Sequence, residues 1–74
     1  MHPAEVRFGK AVRRLRTLRG YSQESFAAAA KINRGYMGRV ERGEVNISLR
    51  NIAKIAKALD RTLGELMSEM DADR

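Results

Sequence analysis

Cysteine and tryptophan are absent from the 74-residue sequence, and histidine occurs once. Without cysteine the chain has no disulfide framework and no thiolate ligands for a metal. The single histidine, His2, lies near a terminus that we expect to be mobile, so neither a zinc site nor a histidine general base is expected. No apolar stretch reaches the length of a membrane span, and the N-terminus lacks a signal peptide's apolar region. The expected location is the cytoplasm, with no membrane partner.

The chain is too short for more than one compact domain, which we assign to residues 1–74. A chain of this size buries only about 60% of its unfolded surface. Self-association is the expected way to gain further burial. No pair of a nucleophile and a base, no cluster of metal ligands and no phosphate-binding loop is visible. We therefore predict a protein that is not an enzyme and needs no cofactor.

Basic residues are in excess and unevenly placed. Fifteen lysines and arginines oppose nine acidic residues, which gives a net charge of +6. Residues 1–20 carry six basic residues against Glu5 alone, whereas residues 48–74 carry five of each sign. A basic surface concentrated at one end indicates a polyanionic partner, and small basic domains often bind nucleic acid. Solubility alone is the alternative interpretation.

The apolar spacing predicts five short helices and no strands, an all-α fold. N-cap residues precede four of them: Ser22, Asn33, Ser48 and Thr62. Apolar stripes comprise Phe8, Val12, Leu15 and Leu18 in the first helix, and Leu49, Ile52, Ala56 and Leu59 in the fourth, with Ile55 at the margin. The predicted helices are Pro3–Arg19, Gln23–Ala30, Arg34–Arg42, Leu49–Leu59 and Leu63 to about Met70, followed by a frayed Asp71–Arg74.

Residues 23–42 combine two short helices around a three-residue break. Ala27 is small enough for the helices to approach closely, and Ile32 seals the turn. Met37 and Val40 fill the space beneath. A small residue at the crossing, an apolar residue in the turn and a polar outer face on the second helix are typical of a helix-turn-helix motif. A helical hairpin in a small bundle is the alternative.

The sequence resembles the Cro/CI-type (Xre) helix-turn-helix family over residues 8–67. The segments that carry the resemblance are VRRLRTLRG, YSQESFA and NRGYMGRVERGEVNISLRNIAKIAKAL. Within the family it is most similar to restriction–modification controller proteins, which are small dimeric regulators that act on their own promoters. The resemblance implies a five-helix, lambda-repressor-like fold. Lys31 departs from the family's usual glycine, and a left-handed backbone there would cost roughly 1 kcal/mol.

Base contacts are expected from the first part of the third helix, the recognition helix. Arginine pairs with guanine through two hydrogen bonds. Glycines lower helix propensity, so two in one short helix favour close approach to the groove floor over simple tolerance at an exposed site. The predicted base-reading residues are Asn33, Arg34, Gly35, Gly38 and Arg39.

Phosphate contacts are expected around the recognition helix. The resemblance implies such a contact for Gln23, at the start of the second helix. Tyr36 either donates to a phosphate, packs on a base methyl group, or is simply half-buried. The remaining predicted phosphate ligands lie around the following loop: Arg42, Asn46, Ser48 and Arg50.

Two further assignments concern structure. The resemblance implies a partly buried ion pair between Arg16 and Glu41. Much of the remaining charge of the first helix is expected to form a solvated face that steers the protein toward DNA: Arg7, Lys10, Arg13, Arg14 and Arg19.

The fifth helix carries an apolar stripe formed by Leu63, Met67 and Met70, which would be exposed at the end of a monomer. The stripe predicts a two-fold homodimer interface, and a helix that only closes the core is the alternative. The acidic residues of this end are expected to lie away from DNA: Glu65, Glu69, Asp71 and Asp73.

Together these features predict a homodimeric regulator that binds inversely repeated half-sites in double-stranded DNA. The alternative is an antitoxin or adaptor of the same fold whose main partner is another, unidentified protein. A membrane-surface module is disfavoured because the basic residues do not oppose a broad free apolar face.

Overall fold

A computed structural model describes residues 3–73, which contain five α-helices, a short 3₁₀ turn and no strand. The helices are α1 (Ala4–Leu18), α2 (Gln23–Ala30), α3 (Arg34–Glu41), α4 (Leu49–Ala58) and α5 (Leu63–Met70). The all-α, five-helix prediction is confirmed, with every helix end within one residue of its predicted position. His2 and Arg74 lie outside the described residues. None of the described helices is long and apolar enough to cross a membrane.

The helices begin where short polar side chains satisfy their first backbone N–H groups. The side chains of Asn33, Ser48 and Thr62 accept hydrogen bonds from the backbone N–H groups three residues later. Glu65 returns a bond to the Thr62 N–H at 2.8 Å, which completes the predicted capping box. Asp71–Asp73, where fraying is expected, form a 3₁₀ turn in which the Asp71 N–H bonds the Ser68 and Glu69 carbonyls. Fraying of this end stays a prediction.

The core lies where α1 crosses α3 and α5, and α2 packs against α3 and α4. Two predicted core leucines are instead exposed: Leu18 by 75% and Leu49 by 71%. Leu18 is the last residue of α1 and Leu49 the first of α4, so neither is covered by a facing helix. Ile55, predicted at the margin, is fully buried. The largest buried side chains are Phe26, Met37, Ile55, Leu59, Leu66, Val12 and Val40.

The α1–α3 crossing depends on a glycine that sequence patterning did not identify. Gly9 is buried, and a Cβ built on it would lie 2.5 Å from the Val40 carbonyl oxygen and 2.6 Å from that of Glu41. Both neighbours are backbone atoms at the end of α3, which cannot move without displacing the helix. Gly9 therefore fixes how closely α1 approaches the recognition helix.

Two basic side chains of the first helix are only partly presented to solvent. Arg14 Nη2 donates to both the carbonyl oxygen and the Oε2 atom of Glu69, each at 3.0 Å. This contact ties α1 to α5. The Nε atom of Arg7 is also buried. Arg14 and part of Arg7 are therefore withdrawn from the expected solvated face, because α1 is packed on more than one side.

Candidate nucleic-acid interface

The turn between α2 and α3 has the geometry predicted for a helix-turn-helix. Ser22 and Ser25 cap α2 reciprocally. At the other end Lys31 adopts φ 58° and ψ 44°, the left-handed conformation, and the Ile32 N–H donates to the Ala27 carbonyl oxygen at 2.9 Å. Asn33 then opens α3. Lys31 thus adopts the left-handed backbone whose cost was considered above, and the turn is kept although glycine is absent there.

The outer face of α3 carries exposed Gly35 and Arg39, and Arg42 follows on the same side at the C-cap. Met37 and Val40 occupy the opposite face and are buried beneath. The recognition helix is thus held by its apolar side, and its arginines project outward. This face is formed by the residues for which DNA contacts are predicted.

Arg34 lies beside this face and pairs with an acidic residue of α2. Its Nη1 atom is 2.9 Å from Glu24 Oε2, and each side chain is about 70% exposed. Exposed pairs of this kind contribute less than about 1 kcal/mol, so a DNA ligand could displace Glu24 at small cost. Glu24 and Arg34 are ten positions apart in different helices, and no sequence signal indicated this contact.

A buried network joins α1, α2 and α3. Arg16 Nε donates to Glu41 Oε2 at 2.7 Å, and Arg16 Nη2 donates to Oε1 at 3.0 Å. Gln23 Nε2 donates to the same Oε1 atom at 3.2 Å. Only 4% of the Glu41 side chain is exposed. The implied Arg16–Glu41 ion pair is present, and it also holds Gln23, which the sequence predicted only as a phosphate ligand.

The two glycines of α3 occupy different environments. Gly35 is exposed, and a Cβ there would meet only Asn33 Oδ1, at 3.1 Å. Gly38 is buried: a Cβ there would lie 3.1 Å from Arg42 Nη1 and 3.3 Å from Gln23 Oε1. The side chains of Gln23 and Arg42 thus cover Gly38, so the helix backbone is not openly exposed at this position.

Tyr36 is half-buried and packs against the hydrophobic core. Its location agrees with the half-buried alternative. A contact of its hydroxyl group with phosphate stays a prediction.

The loop after α3 contributes a second exposed ion pair. Arg42 Nε donates to Glu44 Oε2 at 2.9 Å, and Arg42 Nη2 donates to Oε1 at 3.3 Å. This hydrogen-bonded pairing raises the pKa of Arg42 and lowers the pKa of Glu44. Asn46, Ser48 and Arg50 follow as exposed residues leading into α4. The predicted phosphate ligands of this loop are therefore accessible on one segment.

An apolar surface lies along α4 and α5. Leu63 is 40% exposed and Met67 is 37% exposed. Met67 lines a shallow depression together with Ile52, and Leu63 lines another with Ala53. Met70 is half-buried and packs against the core. Leu49, one turn before Ile52 and Ala53, extends the exposed apolar surface.

A helix-turn-helix family model matches residues 12–66, which is most of the chain and includes α2, the turn and α3. The chain belongs to the helix-turn-helix family. Over 74 residues it is 39% identical to control protein C.MunI from Mycoplasma sp, covering 99% of this chain and all of that protein. It is 45% identical over 53 residues to control protein C.BamHI from Bacillus amyloliquefaciens, covering 70% of this chain and 65% of that protein.

A comparison with solved structures also finds a controller protein. The restriction-modification controller protein C.AhdI from Aeromonas hydrophila is 51% identical, with a TM-score of 0.80. The match covers 82% of this chain and 92% of that one. The resemblance to Xre-type controller proteins predicted from the sequence is confirmed by these relatives.

Proposed function

We propose that this protein is a sequence-specific transcriptional regulator of the restriction–modification controller type, which binds double-stranded DNA as a homodimer. The observation that carries the proposal is the capped α2–turn–α3 unit. In it, α3 is anchored by buried Met37 and Val40 and presents arginines outward. The relatives named as control proteins support the same function. Binding rather than catalysis is its proposed activity, in the cytoplasm.

Sequence readout is assigned to the start and the outer face of α3. Arg34 and Arg39 are exposed and are proposed to donate to guanine in the major groove. Asn33 and Gly35 lie at the same end, and the exposed Gly35 lets the helix approach the base edges. Asn33 uses its Oδ1 atom to cap α3, which leaves the amide nitrogen to donate.

Backbone positioning is assigned to the loop and the start of α4. Asn46, Ser48 and Arg50 are proposed to contact phosphates, with the Tyr36 hydroxyl as a further donor. Ser48 Oγ accepts from the Asn51 N–H, so its own O–H remains available to donate. Such contacts fix the register of the protein on the duplex without specifying sequence.

Dimerisation is proposed through the apolar surface of α4 and α5. Leu63 and Met67 would pack against their symmetry mates, with Leu49 at the margin and Met70 contributing its exposed part. Large exposed apolar side chains concentrated on one surface are typical of interfaces. A two-fold axis there would relate two recognition helices, as inversely repeated half-sites require.

A competition experiment tests the proposed function. Bound sites are first selected from a random duplex pool by the purified protein, and affinity for the selected site is then compared with affinity for random duplex. Losing one bidentate arginine–guanine contact costs about 1–3 kcal/mol, so Arg34→Ala and Arg39→Ala should each lower this ratio. Lys54→Ala, an exposed change on α4, serves as control. An unchanged ratio in both arginine variants would refute the base-reading assignment.

An adaptor or antitoxin that binds another protein is the second candidate function. The exposed apolar surface of α4 and α5 favours it, because that surface could equally receive a different protein. The same selection distinguishes the two functions: the regulator binds its site with no partner present, whereas the adaptor selects no sequence.

A further inference from the structure

The hydrogen bond from Gln23 to Glu41 fixes which way the Gln23 amide faces. A carboxylate can only accept, so the amide nitrogen must face Glu41 and the carbonyl oxygen must face away from it. That oxygen lies over the middle of α3, where a Cβ on Gly38 would be 3.3 Å from it. Because Glu41 is itself held by Arg16, the orientation is set by a buried ion pair rather than by solvent.

Arg42 approaches the same point from the C-terminal end of α3. Its Nε and Nη2 atoms are occupied by Glu44. The remaining nitrogen, Nη1, lies where a Cβ on Gly38 would be 3.1 Å away. A hydrogen-bond acceptor from Gln23 and a donor from Arg42 therefore lie together above Gly38.

A paired acceptor and donor fit a base edge better than a phosphate. Phosphate oxygens only accept hydrogen bonds, so they would repel the Gln23 carbonyl oxygen. In the major groove each base pair offers one amino group, on adenine N6 or cytosine N4, beside acceptors such as N7 and O6. The Gln23 oxygen can accept from that amino group while Arg42 Nη1 donates to a neighbouring acceptor.

We propose that Gly38 is a specificity-determining position that acts through Gln23 and Arg42. The absence of a side chain at Gly38 leaves room for these two residues to present an acceptor and a donor jointly to a base-pair edge. Gln23 and Arg42 then read bases instead of contacting phosphates, and Gly38 is a positioning residue that does not itself touch DNA. The inference rests on the proposed function of DNA binding.

Gly38→Ala tests the inference directly. The added methyl group meets the flexible ends of two side chains, so it should displace them without unfolding the protein. We expect the ratio of affinity for the selected site over random duplex to fall about tenfold, and one position in each half-site to lose its base preference. Gly64→Ala, at an exposed helical glycine of α5, controls for the gain in helix propensity and should leave the ratio unchanged.

A double variant distinguishes this mechanism from direct contact between the α3 backbone at Gly38 and the groove floor. In a Gln23→Ala, Arg42→Ala protein, Gly38→Ala should cause no further loss, because the residues through which it acts are gone. If Gly38 instead mattered because bare helix backbone meets the groove floor, its substitution would lower the ratio equally in both backgrounds. That result, or an unchanged ratio for Gly38→Ala alone, overturns the inference. Failure of the unaltered protein to select any site would instead refute the proposed function.

Discussion

At Lys31 the backbone is held at φ 58°, a conformation that L-residues with a Cβ adopt at a cost of roughly 1–2 kcal/mol. Glycine would relieve that cost but adds entropy to the unfolded chain. The hydrogen bond from the Ile32 N–H shows why the conformation persists: it completes the turn between α2 and α3. Lysine is tolerated at position 31 because the recognition helix is positioned by the backbone of the turn and not by the Lys31 side chain.

We predict that Lys31→Gly raises the free energy of unfolding by up to about 1 kcal/mol. Asp60 provides the comparison, since it also has a positive φ, of 56°. Aspartate adopts left-handed conformations more readily than lysine, so Asp60→Gly should raise the free energy of unfolding by less than Lys31→Gly does. Urea denaturation of both variants measures the difference. A loss of stability in Lys31→Gly would show that the lysine side chain makes a contribution that outweighs the backbone strain.

At the scale of the helices, the α1–α3 crossing determines where the recognition helix sits. We predict that Gly9→Ala destabilises the protein by about 1–3 kcal/mol or more, because the new methyl group would overlap carbonyl groups at the end of α3. Gly64→Ala is the matched control, since a Cβ there meets only Thr62 Oγ1, at 3.9 Å. Thermal unfolding compares them, and equal stability of the two variants would contradict the close crossing.

The cap of α5 makes stability depend on pH. Hydrogen bonds from Thr62 lower the pKa of Glu65 below its usual 4.5, so the folded state favours the ionised carboxylate. A depressed carboxyl pKa contributes stability that is present above the unfolded value and is lost as pH falls through the folded value. Glu65→Gln should therefore show a smaller loss of stability between neutral pH and about pH 3. Identical pH profiles from calorimetry would contradict this role.

Short-range features of these elements were predictable from sequence. The caps at Asn33, Ser48 and Thr62 follow from contacts within three residues, so their patterns predicted the helix starts. The Arg14–Glu69 contact joins residues 55 positions apart, and both residue types are normally found at the surface. No local pattern distinguishes such a pair from solvated charges.

The candidate site divides in the same way. The outward direction of Arg39 follows from helical spacing, and the structure agrees with it. The covering of Gly38 does not follow, because it depends on Gln23 from another helix and on the folded-back side chain of Arg42. Likewise, the position of Leu49 in the apolar stripe of α4 does not reveal that no other helix covers it.

For the whole molecule, the apolar surface of α4 and α5 should determine the oligomeric state. We predict that Leu63→Asp and Met67→Asp each shift the protein toward monomer, because an unpaired charge would be buried against its symmetry mate. Leu18→Asp is the matched control: Leu18 is 75% exposed but lies at the end of α1. Sedimentation gives the mass and circular dichroism verifies folding. Folded Asp variants that remain dimeric would place the interface elsewhere.

The central claim is that two identical recognition helices read two inversely repeated half-sites at once. Adjacent half-sites on one face of the duplex lie about 10–10.5 base pairs apart, centre to centre. The deciding measurement is the affinity of the purified protein for duplexes that keep both selected half-sites but vary their separation. We predict a sharp maximum at the selected separation and a loss when about five base pairs, half a helical turn, are inserted. Affinity that does not change with separation would contradict the account.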